Sequence, residues 1–242
     1  MIKLIVMDLD GTLVPYGATA PTEETRRLLA RLRERGKTLV FASGREYASL
    51  VSYFPEWRRD AYWIGCDGAY TVHLGTSIYG RRIETEDLVR FFRQDLTKNG
   101  VIFHGAKKNY AVGNLSERAE IFAPTPIERL GDVKEKIFMV SAYGGDLRLP
   151  PLCGLRIHWQ GMSMTQYVNR FANKGTALSD LQTRLAISGF ETACIGDAEN
   201  DVSMMRNARR TFCVGRRSEM LYGACNRHVD TVEEALQELL NE

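Results

Sequence analysis

The stretch Lys3-Leu4-Ile5-Val6-Met7-Asp8-Leu9-Asp10-Gly11-Thr12 is an apolar run that ends in two carboxylates, a glycine and a hydroxyl. The run from Lys3 to Met7 has the length of a buried strand. In extended backbone, residues two apart face the same side, so Asp8 and Asp10 converge on one small volume. Two adjacent carboxylates repel, and they stay ionised together only with a cation between them. The arrangement suits a hard metal ion, with one carboxylate left for chemistry. Taken alone, Asp10-Gly11 is also ordinary turn chemistry, and a plain strand-to-loop exit stays open.

The chain has 242 residues, room for one large domain or two small ones. Its 44% hydrophobic and 26% charged content is that of an ordinary globular protein. With 32 basic and 30 acidic side chains the net charge is +2, which gives no case for a nucleic-acid partner. The arginine-rich run from Arg26 to Arg35 has leucines at helical spacing and reads as a solvated helix face. Cys66, Cys153, Cys194, Cys213 and Cys225 are odd in number and form no CxxC pair. They predict reduced, mostly buried thiols, not a disulfide frame or a zinc site. His73, His104, His158 and His228 lack metal-ligand spacing and read as structural. The first strand begins at once, leaving no room for a signal peptide, and no apolar run spans a bilayer. A cytoplasmic protein with no membrane contact is expected.

Strand and helix alternate at both ends of the chain. A helix starts at Thr22-Glu23-Glu24 and closes at Gly36, a strand covers Thr38 to Ala42, and a helix follows through Leu50, Val51 and Phe54. A third strand, Tyr62-Trp63-Ile64, runs into Gly65-Cys66-Asp67-Gly68-Ala69. Later, Lys174 to Ile187 reads as a helix ending near Gly189, and Thr192 to Ile195 as a strand. Val202, Met205 and Ala208 suggest a short helix, Thr211 to Val214 a strand, and Val232 to Leu240 a closing helix. The pattern predicts an α/β fold, a Rossmann-like parallel-sheet core with helices on both faces. The middle differs. Val101 to His104 and Tyr110 to Val112 read as a hairpin, Lys136 to Tyr143 and Leu155 to Trp159 as strands, and Glu86 to Lys98 as an amphipathic helix. This predicts an α+β insert over residues 75–162 in a discontinuous core of 1–74 and 163–242.

Ligands of an open parallel sheet collect at the carboxyl ends of its strands. There the sequence places Asp8 to Thr12, Ser43-Gly44-Arg45 and Asp197 to Asp201, while Lys174 opens the helix before the late strand. Together they suit phosphoryl transfer. A carboxylate attacking a phosphate ester must overcome anion repulsion. Mg²⁺ held by carboxylates meets that need, helped by the ammonium of Lys174. Thr12 and Ser43 offer hydroxyl donors, and the glycines let backbone N–H groups approach the phosphate.

The set DxDGT, SGR, KG and GDxxND, in this order, resembles the haloacid dehalogenase-like superfamily of phosphohydrolases. The insert resembles the large α+β cap of its subclass IIB, to which the Cof-like sugar-phosphate phosphatases belong. The resemblance implies that Asp8 is the nucleophile that becomes an aspartyl-phosphate and that Asp10 is the general acid and base. It implies that Thr12, Ser43, Gly44, Lys174 and Asn200 bind the phosphoryl group. It further implies that Asp8, Asp197 and the backbone oxygen of Asp10 ligate Mg²⁺, with Asp201 supporting the metal shell. The expected activity is Mg²⁺-dependent hydrolysis of a small phosphorylated metabolite such as a sugar phosphate. The alternatives are a phosphomannomutase-like mutase and, further off, a phospho-acceptor switch. Asp67 departs from the Asn-Gly-Ala usual after the third strand. An ionised aspartate only accepts hydrogen bonds, so it predicts contact with a sugar hydroxyl or with Arg45, or else a ligand-free turn. Arg45 and Asp67 are therefore specificity candidates. Trp159, Met162, Met164 and the loop around Asn109 are candidates for the cap surface. The basic pairs Arg81-Arg82 and Lys107-Lys108 read mainly as solvated surface.

Overall fold

The computed structural model describes residues 1–93, 100–113, 115, 122–144, 154–161 and 163–242. These form two sheets. The first half of the chain supplies β1 (Leu4–Asp8), α1 (Glu23–Glu34), β2 (Thr38–Ala42), α2 (Tyr47–Ser52), β3 (Tyr62–Gly65), β4 (Tyr70–His73) and β5 (Thr76–Gly80). The middle supplies α3 (Thr85–Phe92), β6 (Val101–Gly105), β7 (Asn109–Val112), β8 (Thr125–Pro126), β9 (Ile137–Tyr143), β10 (Leu155–Gln160) and β11 (Met164–Asn169). The last part supplies α4 (Lys174–Leu185), β12 (Thr192–Gly196), α5 (Val202–Met205), β13 (Arg210–Val214), α6 (Glu219–Ala224), β14 (Arg227–Val229) and α7 (Val232–Leu240).

The larger sheet runs β14-β13-β12-β1-β2-β3-β4-β5. It is parallel from β14 to β3, and the β4–β5 hairpin adds an antiparallel edge. Its central strand is buried on both faces, as a parallel strand between helix layers must be. Ile5 and Met7 pack with Leu28, Leu29 and Leu32 of α1 and Leu236 and Leu239 of α7. Leu4 and Val6 pack on the opposite face with Ala177, Leu178 and Leu181 of α4 and Met204 of α5. The chain reverses direction of build at β1: β2 and β3 lie to one side, β12 and β13 to the other. A crevice opens at such a switch point, beyond the carboxyl ends of the strands.

The second sheet, in order β10-β11-β9-β6-β7-β8, is covered on one face by α3, whose Leu88 and Phe91 pack on Phe103, Val140 and Tyr167. Phe138, Met139 and Val168 of this sheet join the main core cluster, so the two sheets share apolar contact. Among the described residues, no helix is long and apolar enough to cross a membrane.

Sheet membership moves the expected boundaries. Thr76–Gly80 pairs with β4 and stays with the large sheet, whereas Met164–Asn169 pairs with β9 and β10 in the small one. The chain therefore changes sheets after Gly80 and after Asn169, not at 75 and 162. Hairpin pairing decided this, and local pattern does not encode it. The expected helix from Glu86 to Lys98 is Thr85–Phe92 in its described part, residues 94–99 lying outside the description. The helix opened by Lys174 ends at Leu185, capped by Ala186 in the left-handed conformation (φ 52°) instead of by Gly189.

Candidate active site

Asp8 is the last residue of β1, and Asp197 follows the last residue of β12, its parallel neighbour. Adjacent strand ends thus bring together two carboxylates 189 residues apart in sequence. The loop after β2 is stitched to the loop after β3: Asp67 N–H donates to Ser43 O at 2.9 Å and Cys66 N–H to Arg45 O at 2.8 Å. Cys66, Asp67 and Gly68 hold φ of 49°, 53° and 87°. For the two non-glycine residues this left-handed backbone costs about 1–3 kcal/mol each. Gly68 is required there for a second reason, because a Cβ would sit 2.1 Å from Asn173 O. Asn173 caps α4 by accepting from Thr176 N–H at 2.9 Å, which sets the start of the helix and hence Lys174.

The three strand-end motifs meet at a cavity of about 890 Å³. Asp8, Asp10, Ser43, Gly44, Arg45, Asp197 and Asn200 line it. Lys174, Asp201, Thr12 and Asp67 sit behind this lining, all buried. Lys174 Nζ donates to Asp8 Oδ1 at 2.5 Å and to Asp201 Oδ1 at 2.6 Å. Burial works against its charge, but Asp201, Asp8 and Asp67 outweigh that and keep it protonated. Thr12 donates to Asp197 Oδ1 at 3.3 Å, so its hydroxyl faces a carboxylate. Asn200 gives its amide to Asp67 Oδ1 at 3.1 Å. Ser43 Oγ lies 3.5 Å from Asp10 Oδ2.

Burial pushes the Asp8 carboxyl well above its ordinary range; Lys174 opposes this, while Asp201 and Asp197 add to it. Asp197 is also raised, by burial first. One oxygen each from Asp8, Asp197 and Asp201 lies within 4.8 Å of the others. Three carboxylates against one ammonium leave excess negative charge, and a divalent cation is the group that relieves it. The residues fit Mg²⁺. Asp201 has little left to give such an ion, since its Oδ2 accepts from Asp197 and Ala198 N–H at 3.1 Å and its Oδ1 from Lys174. The side chain of Asp10 turns away from the acidic group. Both its oxygens are held by Arg45, with Nε at 2.8 Å and Nη2 at 2.7 Å.

Asp67 contacts neither Arg45 nor open solvent. Its Oδ2 takes the Arg156 guanidinium at 2.5 Å and lies 3.3 Å from His158 Nδ1. Burial favours the neutral acid, but His158, Lys174 and Arg156 prevail and hold Asp67 at about 2.

Tyr16, Arg217, Gln166 and His158 also line the cavity. Tyr16 donates to Asp197 Oδ2 at 2.7 Å and carries the Arg217 guanidinium 4.0 Å above its ring. Arg156 and His158 had a usable signal, since two polar residues at period two in an apolar strand share a face. Tyr16 and Arg217 had none. Of the cap candidates, Trp159 and Asn109 reach the cavity. Met164 packs instead beside Ile102, Ala111 and Tyr143, and Met162 lies outside the described residues. Arg81 stacks on Tyr79, Arg82 pairs with Glu84, and Glu135 accepts the backbone N–H groups of Lys107 and Lys108; none of these four basic residues lines the cavity.

The haloacid dehalogenase-like hydrolase profile matches residues 5–137 and 147–235, and the chain belongs to that family. It is a phosphatase of this superfamily, the enzyme class of its named relatives. It is 24% identical over 230 residues to the 5-amino-6-(5-phospho-D-ribitylamino)uracil phosphatase YbjI of Escherichia coli K12, covering 88% of this chain and 85% of that one. The HMP-PP phosphatase of Klebsiella pneumoniae is 27% identical over 250 residues, covering 89% and 85%. Among solved structures, TM0651 from Thermotoga maritima superposes with a TM-score of 0.84 at 22% identity over 98% of this chain and 97% of that one. The subclass IIB sugar phosphatase BT4131 superposes with a TM-score of 0.79 at 19% identity over 98% of each. These structures share the fold.

Proposed function

We propose that the protein is a Mg²⁺-dependent phosphatase that hydrolyses a small phosphorylated metabolite, a sugar phosphate or phosphorylated sugar derivative, through an aspartyl-phosphate at Asp8. The observation that carries this is Asp8 itself, a cavity-lining carboxylate beside the buried Lys174 ammonium and within an acidic cluster that fits a divalent cation. Mg²⁺ held by Asp8, Asp197 and the Asp10 backbone oxygen supplies charge neutralisation when bound.

Asp8 attacks phosphorus and the ester P–O bond breaks. Asp10, on the cavity wall, gives its proton to the departing alcohol oxygen. Asp10 then takes a proton from water as the water attacks phosphorus, which frees Asp8 and inorganic phosphate. Arg45 must release at least one Asp10 oxygen for either transfer, because it holds both. Ser43 Oγ and the Gly44 N–H receive the phosphoryl oxygens, the Ser43 N–H being held by Ile64 O and the Arg45 N–H by Ser43 Oγ. We read the six-stranded sheet as a cap that closes the cavity over the substrate, since Asn109, Trp159 and Gln166 form its far wall. The relatives' small phosphorylated substrates support this class. The free thiols of Cys66, Cys194 and Cys213 support a reducing, cytoplasmic setting.

A screen of phosphate esters with Mg²⁺, using Asp8→Asn protein as the blank, tests the reading. Release of inorganic phosphate above the blank is expected for at least one ester. No turnover above it refutes the proposal, and an isomeric sugar phosphate in place of free phosphate replaces it with a mutase.

A further inference from the structure

His158 has a use that the hydrolytic scheme above leaves open. It comes from β10, where the pairing with β11 shifts register between Ile157 and Trp159. His158 is the residue at that irregularity, and a bulge re-aims the side chain it carries. The ring lines the cavity together with Asp8 and Asp10. Its Nδ1 lies 3.3 Å from Asp67 Oδ2. Its other nitrogen overhangs the phosphate-side loop so closely that a Cβ at Gly44 would sit 2.5 Å from Nε2. The imidazole is thus wedged between a carboxylate and the Ser43–Arg45 loop, on the wall of the cavity that Asp8 also lines.

Asp67 is itself immobilised. It accepts from Arg156 and from Asn200, and Arg156 also donates to Ala172 O at 2.6 Å, just ahead of α4. Nδ1 is buried without a hydrogen-bond partner, and its 3.3 Å approach to Asp67 Oδ2 is an electrostatic contact that favours the proton on that nitrogen and leaves Nε2 as an acceptor in the neutral ring. In the protonated ring Nε2 donates. A hydroxyl group can pair with Nε2 in either state, whereas a bare alkyl or aryl carbon can pair in neither.

We propose that His158 determines specificity for the leaving alcohol through a hydrogen bond from Nε2 to a hydroxyl of a polyol-type substrate, with Asp67 as its positioning residue. This rests on the phosphatase reading, and it gives the aspartate at position 67 a task that asparagine would perform less well. Asparagine at 67 would lack the charge that anchors Arg156 and fixes the ring.

Glutamine and asparagine separate the two nitrogens, since a glutamine amide reaches the place of Nε2 and an asparagine amide that of Nδ1. With sorbitol 6-phosphate, His158→Asn is expected to lose about tenfold or more in kcat/KM, mostly through KM, and His158→Gln to stay within about threefold. Asp67→Asn is expected to share part of the loss. With p-nitrophenyl phosphate, which has no hydroxyl beside the ester, the gap between the two His158 variants is expected to close to within about twofold. Equal losses on the two esters, or equal losses in the asparagine and glutamine variants, overturn the proposal and leave a packing role. Calorimetric titration of sorbitol 6-phosphate into the same proteins gives a reading independent of turnover. If wild type hydrolyses neither ester, the phosphatase reading has failed for them, and binding alone decides this one. At least about tenfold weaker binding to His158→Asn than to wild type upholds it; equal or undetectable binding overturns it.

Discussion

Lys174 Nζ lies 2.6 Å from Asp201 Oδ1, and neither side chain has any exposure to solvent. The ammonium also holds Asp8 at 2.5 Å, so one cation serves the base of the site and a carboxylate on the cavity wall. Removing one partner of a buried ion pair leaves an uncompensated charge, at a cost of about 3–5 kcal/mol. Lys174→Met is expected to lose that much stability in urea unfolding and to lose turnover. The double variant Lys174→Met, Asp201→Asn is expected to be less destabilised than the sum of its parts. Additive losses would mean that the pair is not coupled.

If Asp10 carries the protons of the proposed reaction, Asp10→Ala is expected to lower kcat by about 10²–10⁴-fold. The measurement is steady-state turnover of the best ester from the screen. A loss smaller than tenfold would assign the proton transfers to another group.

Mg²⁺ is expected to raise the thermal midpoint, because burial, and after it the neighbouring Asp201 carboxylate, hold Asp8 and Asp197 above their ordinary range. At a concentration one hundred times the dissociation constant, the gain is about 2.7 kcal/mol. Chelation by EDTA should reverse it, and Asp197→Asn should abolish most of it. An unchanged Mg²⁺ response in Asp197→Asn would remove Asp197 from the ligand set.

His104 supplies a pH dependence of stability. The ring is buried between Asn109 Oδ1 at 3.1 Å and Ser141 Oγ at 2.7 Å, and burial lowers it to about 4 despite the Asn109 bond. In the unfolded chain a histidine titrates at about 6.5. Between these values the unfolded chain binds a proton that the folded one does not. Stability therefore falls as pH drops from about 6.5 to about 4, by about 3 kcal/mol in all. Urea unfolding across this range should show a shallower slope in His104→Gln than in wild type. Equal slopes would show that His104 does not carry the effect.

The strand-end motifs were legible because their signals are local. An apolar run followed by Asp8-Leu9-Asp10-Gly11-Thr12 announces a buried strand and its polar exit, and period two puts both aspartates on one side. The same holds for Ser43-Gly44-Arg45 and for Asp197 to Asp201, while α1 and α7 showed their extent in leucine spacing and capping residues. Partners across the chain were not legible. Asp67 pairs with Arg156 and not with Arg45, and Arg45 takes both oxygens of Asp10. Each of those choices depends on which strands become neighbours.

The sequence by itself determined the alternation of elements, the strand ends that carry chemistry and the superfamily they resemble. Hydrophobic period and turn chemistry act over a few residues and need no knowledge of the rest of the chain. Only the tertiary structure decided that β1 lies beside β12, that the β4–β5 hairpin extends the large sheet, and that β10 brings Arg156 and His158 onto Asp67. Those depend on register and sheet order, which are set by the burial of whole faces at once.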